Sequence, residues 1–199
     1  MSFREYYLIF LLCLFLLFWF WSSIKPLHRD AWFLENLLVF IFVPLIGLST
    51  RFFSLSLLSY TLITVFIILH VVGSHYTYAL TPFGKFIGRI FGTKRNMYDR
   101  LVHFSYGLLL TYPLMELITK LGIVNGYWNY YFPLEFIVAT SGIFEIIEWL
   151  VARLAHKNAG ISFLGAQGDV WDAQKDIAIA ALGSIIATIV IYLLSIHYQ

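Results

Sequence analysis

Charge is scarce in this chain. Only 12% of its 199 residues are charged, about half the share expected of a soluble domain. Cysteine occurs once, at Cys13, which excludes an intrachain disulfide and leaves the redox compartment open. No HExxH motif, P-loop or HxxHH box occurs, and the HVVGSH run at residues 70–75 lacks the HxxxH spacing of metal-binding helices. There is no internal repeat and no low-complexity tract. A net charge of +2 gives no footing for a nucleic-acid partner.

What is abundant is apolar surface. The chain is 60% hydrophobic and 19% aromatic, with a mean hydropathy of +0.81. The apolar stretches are continuous and long, which opposes a transmembrane barrel. They imply an all-α polytopic membrane protein, one integral membrane domain over residues 1–199 with the lipid bilayer as its partner. Windows of about 20 residues give about six transmembrane helices, near 6–21, 33–48, 55–72, 98–118, 131–151 and 170–194. The first follows Arg4 as a signal peptide would. It lacks a small-x-small cleavage site and ends in bulky FWFW, so it reads as a retained helix. Pro44 and Pro113 lie inside spans, where lipid tolerates them. The third span is expected to end at Gly73. Of the longer connections, 74–97 carries Pro82, Gly84, Gly88 and Gly92 and reads as holding a short interfacial helix near 83–91.

Basic residues are unequally shared between the two faces. Arg4, Arg51 and Lys120 fall on one side, while Lys25, Arg29, Lys85, Arg89, Lys94, Arg95, Arg153 and Lys157 fall on the other. The positive-inside rule then places both termini in the periplasm and the basic loops in the cytoplasm. Trp19, Trp21, Trp32, Trp128, Tyr130 and Tyr131, near span ends, read as an interfacial belt.

The few acidic groups are concentrated where they are costly. An ionisable group at membrane depth costs about 2.5–3.5 kcal/mol on insertion scales, so a set survives only if paired, wetted or metal-bound. Asp99 and His103 open the fourth span, Glu145 and Glu148 close the fifth, and Asp169, Asp172 and Asp176 open the sixth. His70 and His75 end the third span and Glu35 opens the second. All point to the leaflet of the basic face; only Glu116 and Glu135 belong to the opposite end. Asp99, His103 and Tyr106 share one helical stripe, as do Glu145 with Glu148, and Asp169 with Asp172 and Asp176. His70 and His75 share a face only if the helix breaks at Gly73.

Such a set of carboxylates and imidazoles suits Zn²⁺, Mn²⁺ or Mg²⁺. Asp99, His103, Asp172, Asp176, His75 and His70 are the candidate ligands. Glu145 or Glu148 is the candidate general base, since two carboxylates one turn apart repel unless a proton or cation lies between them. Arg95 and Arg100, with Tyr106 on the same side, are candidates for holding an anion. Simpler roles stand beside these. Asp99 could pair with Arg100 or Lys94, His70 could be a satisfied core histidine, and Asp169 could cap the last span.

The strings LHVVGSHYTYALTPFG at 69–84, RNMYDRLVHFSYGLLL at 95–110, FEIIEW at 144–149 and GDVWDAQKD at 168–176 resemble the YjdF family of small bacterial inner-membrane proteins. That resemblance implies residence in the bacterial cytoplasmic (inner) membrane and names no reaction. A more distant likeness is to VanZ-like membrane proteins, with Asp99 and His103, Glu145 or Glu148, and Asp172 with Gly183 in matching positions. Asp176 stands where that pattern has Asn. The expectation is an inner-membrane protein with a polar cavity at one leaflet, acting as a metal-assisted hydrolase or transferase on a lipid-linked anionic substrate. A proton- or ion-coupled transporter and a non-catalytic membrane partner, its cluster merely locking helices together, are the competing classes.

Overall fold

The computed structural model describes residues 2–154 and 166–197. Among the described residues there are seven helices and no strands: α1 (Phe3–Ser23), α2 (Arg29–Ser49), α3 (Leu57–Tyr76), α4 (Pro82–Ile90), α5 (Tyr98–Lys120), α6 (Trp128–Leu154) and α7 (Asp172–His197). Five of them, α1, α2, α3, α5 and α7, are long and apolar enough to cross a membrane. The sixth, α6, has 27 residues, about 40 Å at 1.5 Å per residue; Glu135, Glu145, Glu148 and Arg153 lower its hydropathy. The all-α architecture of about six spans is therefore what forms, with α4 as the short extra helix. Lys157, counted above on the basic face, lies outside the described residues.

Local chemistry sets the helix ends. Ser2 and Glu5 close a capping box at the start of α1. Ser56 caps α3 by accepting the Ser59 N–H, and α3 stops where Thr77 turns left-handed at φ +56°. Pro82 opens α4, where its missing N–H costs no helical bond.

One expected boundary moves. α3 continues through Gly73 to Tyr76. The glycine is required there for close approach instead, since a Cβ would meet the Tyr78 ring at 2.8 Å. With the helix unbroken, His70 and His75 face different neighbours.

α3 and α5 form the centre. α1 and α2 pack on α3, while α6 and α7 pack on α5 and on each other. The closest pair is α5 with α7, which run side by side. A Cβ on Gly107 would strike the Ala180 carbonyl and one on Gly183 the Phe104 carbonyl, so the two glycines let the backbones meet. Thr111 and Ser184 hydroxyls bond across this seam at 2.7 Å. The molecule is polar inside and apolar outside: Asn36, Ser74, Thr111, Ser141 and Asp176 are buried while Phe10, Phe42, Leu182 and Leu193 are exposed. That inversion suits lipid as solvent, where interior hydrogen bonds and small residues hold helices together.

Two tryptophans of the expected interfacial belt turn toward neighbouring helices. Trp32 is buried and donates to Ser22 Oγ at 3.2 Å, and Trp19 donates to Asn36 Oδ1 at 2.9 Å. Asn36 in turn donates to Ser74 Oγ at 3.2 Å. An indole facing protein needs an acceptor, and Ser22 of α1 and Asn36 of α2 supply it.

Candidate functional site

The first turns of α5 and α7 and the last turns of α6 meet at one end of the bundle. Asp99 and His103, four residues apart on α5, stand 3.7 Å from each other, Oδ1 to Nε2. Glu145 of α6 places Oε1 at 3.3 Å from the same Nε2. Asp176 of α7 completes a group in which one donor atom each from Asp99, His103 and Asp176 lies within 4.8 Å of the others. His103 Nδ1 and Ser141 Oγ are 3.5 Å apart. All of these side chains are nearly closed off from the exterior, with Asp176 at 1% and Glu145 at 9% exposure.

Two arginines lie against this group. Arg95 Nη2 and Arg100 Nη2 both donate to Asp172 Oδ1, at 2.5 and 2.6 Å. Arg100 Nη1 also donates to the Asp172 carbonyl at 3.0 Å and pairs with Asp176 Oδ1. Arg95 Nη2 is 3.9 Å from Asp99, and its Nη1 donates to the Ala166 carbonyl at 2.7 Å. Asn96 and Gln167 exchange hydrogen bonds between their backbone and amide groups at 2.8 and 3.1 Å. These contacts tie the chain before α7 to the chain before α5, which sets the depth of Asp172 and Asp176 against Asp99.

The expected site residues separate into groups. Asp99, His103, Asp176 and Glu145 come together, and Glu148 is buried one turn beyond Glu145 on α6. Asp172 sits with the arginines. Tyr106 is farther along α5 and shares a 2.6 Å hydrogen bond with Thr140. His70 lies between α2 and α3: its Nε2 donates to the Glu35 carbonyl at 3.0 Å, so Nδ1 accepts the Tyr78 hydroxyl at 2.6 Å. His75 is turned toward α1, stacked on Trp21 and donating to the Ser22 carbonyl at 3.0 Å.

Asp169 is not the last span's capping residue in the strict sense. It stands three residues before α7, accepts the Trp171 N–H at 3.1 Å and pairs with Lys175 at 2.7 Å. Lys175, and with it the Trp171 N–H, holds its carboxyl below the usual range.

Glu35 is a further buried acid that helical stripes alone did not single out. It is buried on α2, and its Oε2 finds no hydrogen-bond partner among the described residues. The available signal was its depth, which matches that of the other acids of this leaflet. At the opposite end Glu116 is fully engaged: it accepts from Ser56 N–H at 2.7 Å and Ser59 Oγ–H at 2.5 Å and pairs with Lys120 at 2.8 Å.

Fold and site together define a polytopic helical membrane protein with a buried carboxylate–imidazole cluster at one end of the bundle. Residues 7–197 match the family described as predicted membrane protein (DUF2238), and the chain belongs to that family. It is 36% identical over 178 residues to the inner membrane protein YjdF of Escherichia coli (strain K12), covering 89% of this chain and 84% of that protein. The chain is accordingly a multi-pass protein of the bacterial inner membrane, as the sequence motifs implied. The VanZ-like likeness gains no support from these matches. No solved structure matches the chain.

Proposed function

We propose that the cluster is a divalent-cation centre and that the protein is a metal-assisted hydrolase or transferase acting on a lipid-linked anionic substrate. The observation that carries this reading is the convergence of Asp99, His103 and Asp176 within 4.8 Å, with Glu145 beside the imidazole at 3.3 Å. Two oxygen donors and one imidazole suit Zn²⁺, Mn²⁺ or Mg²⁺. The charge balance supports it as well. Glu35, Asp99, Glu145, Glu148, Asp172 and Asp176 outnumber Arg95 and Arg100, and a buried excess of carboxylates calls for a cation or protons.

A cation held by Asp99, His103 and Asp176 would supply Lewis-acid activation of a bound water or hydroxyl. Glu145, with Oε1 buried and lacking a well-aligned donor, is placed to take the proton of the attacking hydroxyl. Arg95 and Arg100 are placed to hold the substrate's anionic group, in exchange for Asp172. Ser141 orients the His103 ring. The reading extends to orientation, with the cluster at the cytoplasmic leaflet and both termini in the periplasm.

A proton-coupled carrier would need polar groups across the full thickness. Glu116 is consumed by Ser56, Ser59 and Lys120, and Glu135 is exposed on α6, so neither supports such a path. The test is the metal content of the purified, detergent-solubilised protein. Stoichiometric metal in wild type, lost in His103→Ala and Asp176→Ala but kept in Tyr106→Phe, is the expected result. Folded wild type that binds none of the three metals overturns the centre.

A further inference from the structure

Seven of the nine residues of α4 fall on three stripes. Gly84 and Gly88 form the first and are buried against the start of α5. A Cβ at Gly84 would meet Tyr98 N at 2.6 Å, and one at Gly88 would strike the Arg95 carbonyl. Met97 N–H donates to the Gly84 carbonyl at 3.1 Å, Thr93 N–H to the Gly88 carbonyl at 2.9 Å, and Asn96 Nδ2 to the Thr81 carbonyl at 2.8 Å. The helix is thereby held in one rotational setting, and neither of its other stripes can turn inward.

The second stripe is apolar and outward. Phe83, Phe86 and Ile90 are 53%, 55% and 66% exposed, and Phe83 stacks on Phe86 with centroids 6.3 Å apart. The third is basic, with Lys85 and Arg89 one turn apart and Lys94 just beyond, all exposed and none in an ion pair with a carboxylate among the described residues. At 100° per residue the basic stripe lies about 110° round the helix from the apolar one. α4 joins α3 to α5, two spanning helices, and so lies at the membrane boundary. A short helix fixed there, with large apolar groups on one flank and free cations on another, has the chemistry of an in-plane membrane anchor.

We propose that α4 binds the anionic lipid leaflet, with Phe83, Phe86 and Ile90 in the acyl boundary and Lys85, Arg89 and Lys94 on lipid phosphates. Attraction between juxtamembrane basic residues and anionic headgroups supplies the selectivity. Because these hydrogen bonds tie α4 to the turn before α5, this docking also sets Arg95 at headgroup depth, beside the cluster. The inference stands apart from the metal reading, since the basic residues Lys85, Arg89 and Lys94 make no ion pair with Asp99 or Asp176.

The experiment uses the full chain with Cys13→Ala, carrying a single spin label at Phe86→Cys or at Arg89→Cys. The protein is reconstituted in vesicles of phosphatidylglycerol and phosphatidylcholine. The label at 86 should be reached by oxygen and shielded from a water-soluble nickel chelate, and the label at 89 should show the reverse. In the same vesicles, Lys85→Gln with Arg89→Gln and Lys94→Gln should lower the preference for spin-labelled phosphatidylglycerol over phosphatidylcholine by about twofold or more. Equal chelate access at 86 and 89 overturns the proposal. So does shielding of position 86 from both reagents, which would mean that protein covers it, and so does an unchanged lipid preference in the folded triple variant. Metal content is expected to be the same in all of these proteins.

Discussion

Asp172 Oδ1 accepts hydrogen bonds from two arginines at once, from Arg95 Nη2 at 2.5 Å and from Arg100 Nη2 at 2.6 Å. The arginines belong to the turn before α5 and to its first turn, and the aspartate opens α7. One carboxylate oxygen therefore clips together the helices whose next acidic residues, Asp99 and Asp176, face each other.

Asp172→Ala leaves two largely buried guanidinium groups without their shared acceptor. Removing one partner of a buried ion pair costs about 3–5 kcal/mol, and the side chains here are only 6–13% exposed. Arg95→Ala should cost less, because Arg100 still holds Asp172 and Asp176. Thermal unfolding in detergent, followed by circular dichroism, should rank Asp172→Ala well below Arg95→Ala. Equal losses would mean that the clip is not shared.

The seam between α5 and α7 is set by backbone contact, so Gly107→Val and Gly183→Val should separate the helices. Overpacking a tight site costs about 1–3 kcal/mol and more when backbone must move. Gly142→Ala is the control, because its Cβ would meet only Ile177 Cδ1, at 3.8 Å. Size-exclusion chromatography and melting curves should show the first two damaged and the third near wild type.

Glu116 caps α3 from another helix, accepting from Ser56 N–H and from the hydroxyls of Ser56 and Ser59. Glu116→Ala leaves those donors without their acceptor at a cost of about 1–3 kcal/mol. The site is at the far end of the bundle, so metal binding by the folded fraction should be unaffected. A loss of metal without a loss of stability would contradict the capping role.

Asp169 links the approach to α7 with Lys175 at 2.7 Å, and that partner, then the Trp171 N–H, lowers its folded pKa. A depressed carboxylate pKa contributes stability above the unfolded value, about 3.9. This contribution is lost as pH falls through the folded value. The wild type should therefore lose stability more steeply than Lys175→Gln as pH drops below about 4. Parallel pH profiles for the two proteins would remove Asp169 from the account.

The spans were legible because hydropathy is a local sum and rise along a helix is fixed at 1.5 Å per residue. The same arithmetic assigned Asp99, His103, Glu145, Glu148, Asp172 and Asp176 to one end of the bundle, since depth follows from position along each span. Rotation about the helix axis is not a local property. It depends on which neighbour each helix meets and how closely, which here turns on Gly107 and Gly183 at the α5–α7 seam. His70 and His75, both near the end of α3, diverge to Glu35 and Ser22 because that helix runs unbroken through Gly73. Trp19 and Trp32 likewise turn inward to Asn36 and Ser22. Asp172 and Asp176, one turn apart on the same stripe, also part: Asp172 goes to both arginines, while Asp176 meets Asp99 and His103 as well as Arg100. The amino-acid sequence by itself determined the class and the spans, because each is a property of one helix in lipid. Only the tertiary structure decided which polar atoms meet, because that is settled by the contact between helices.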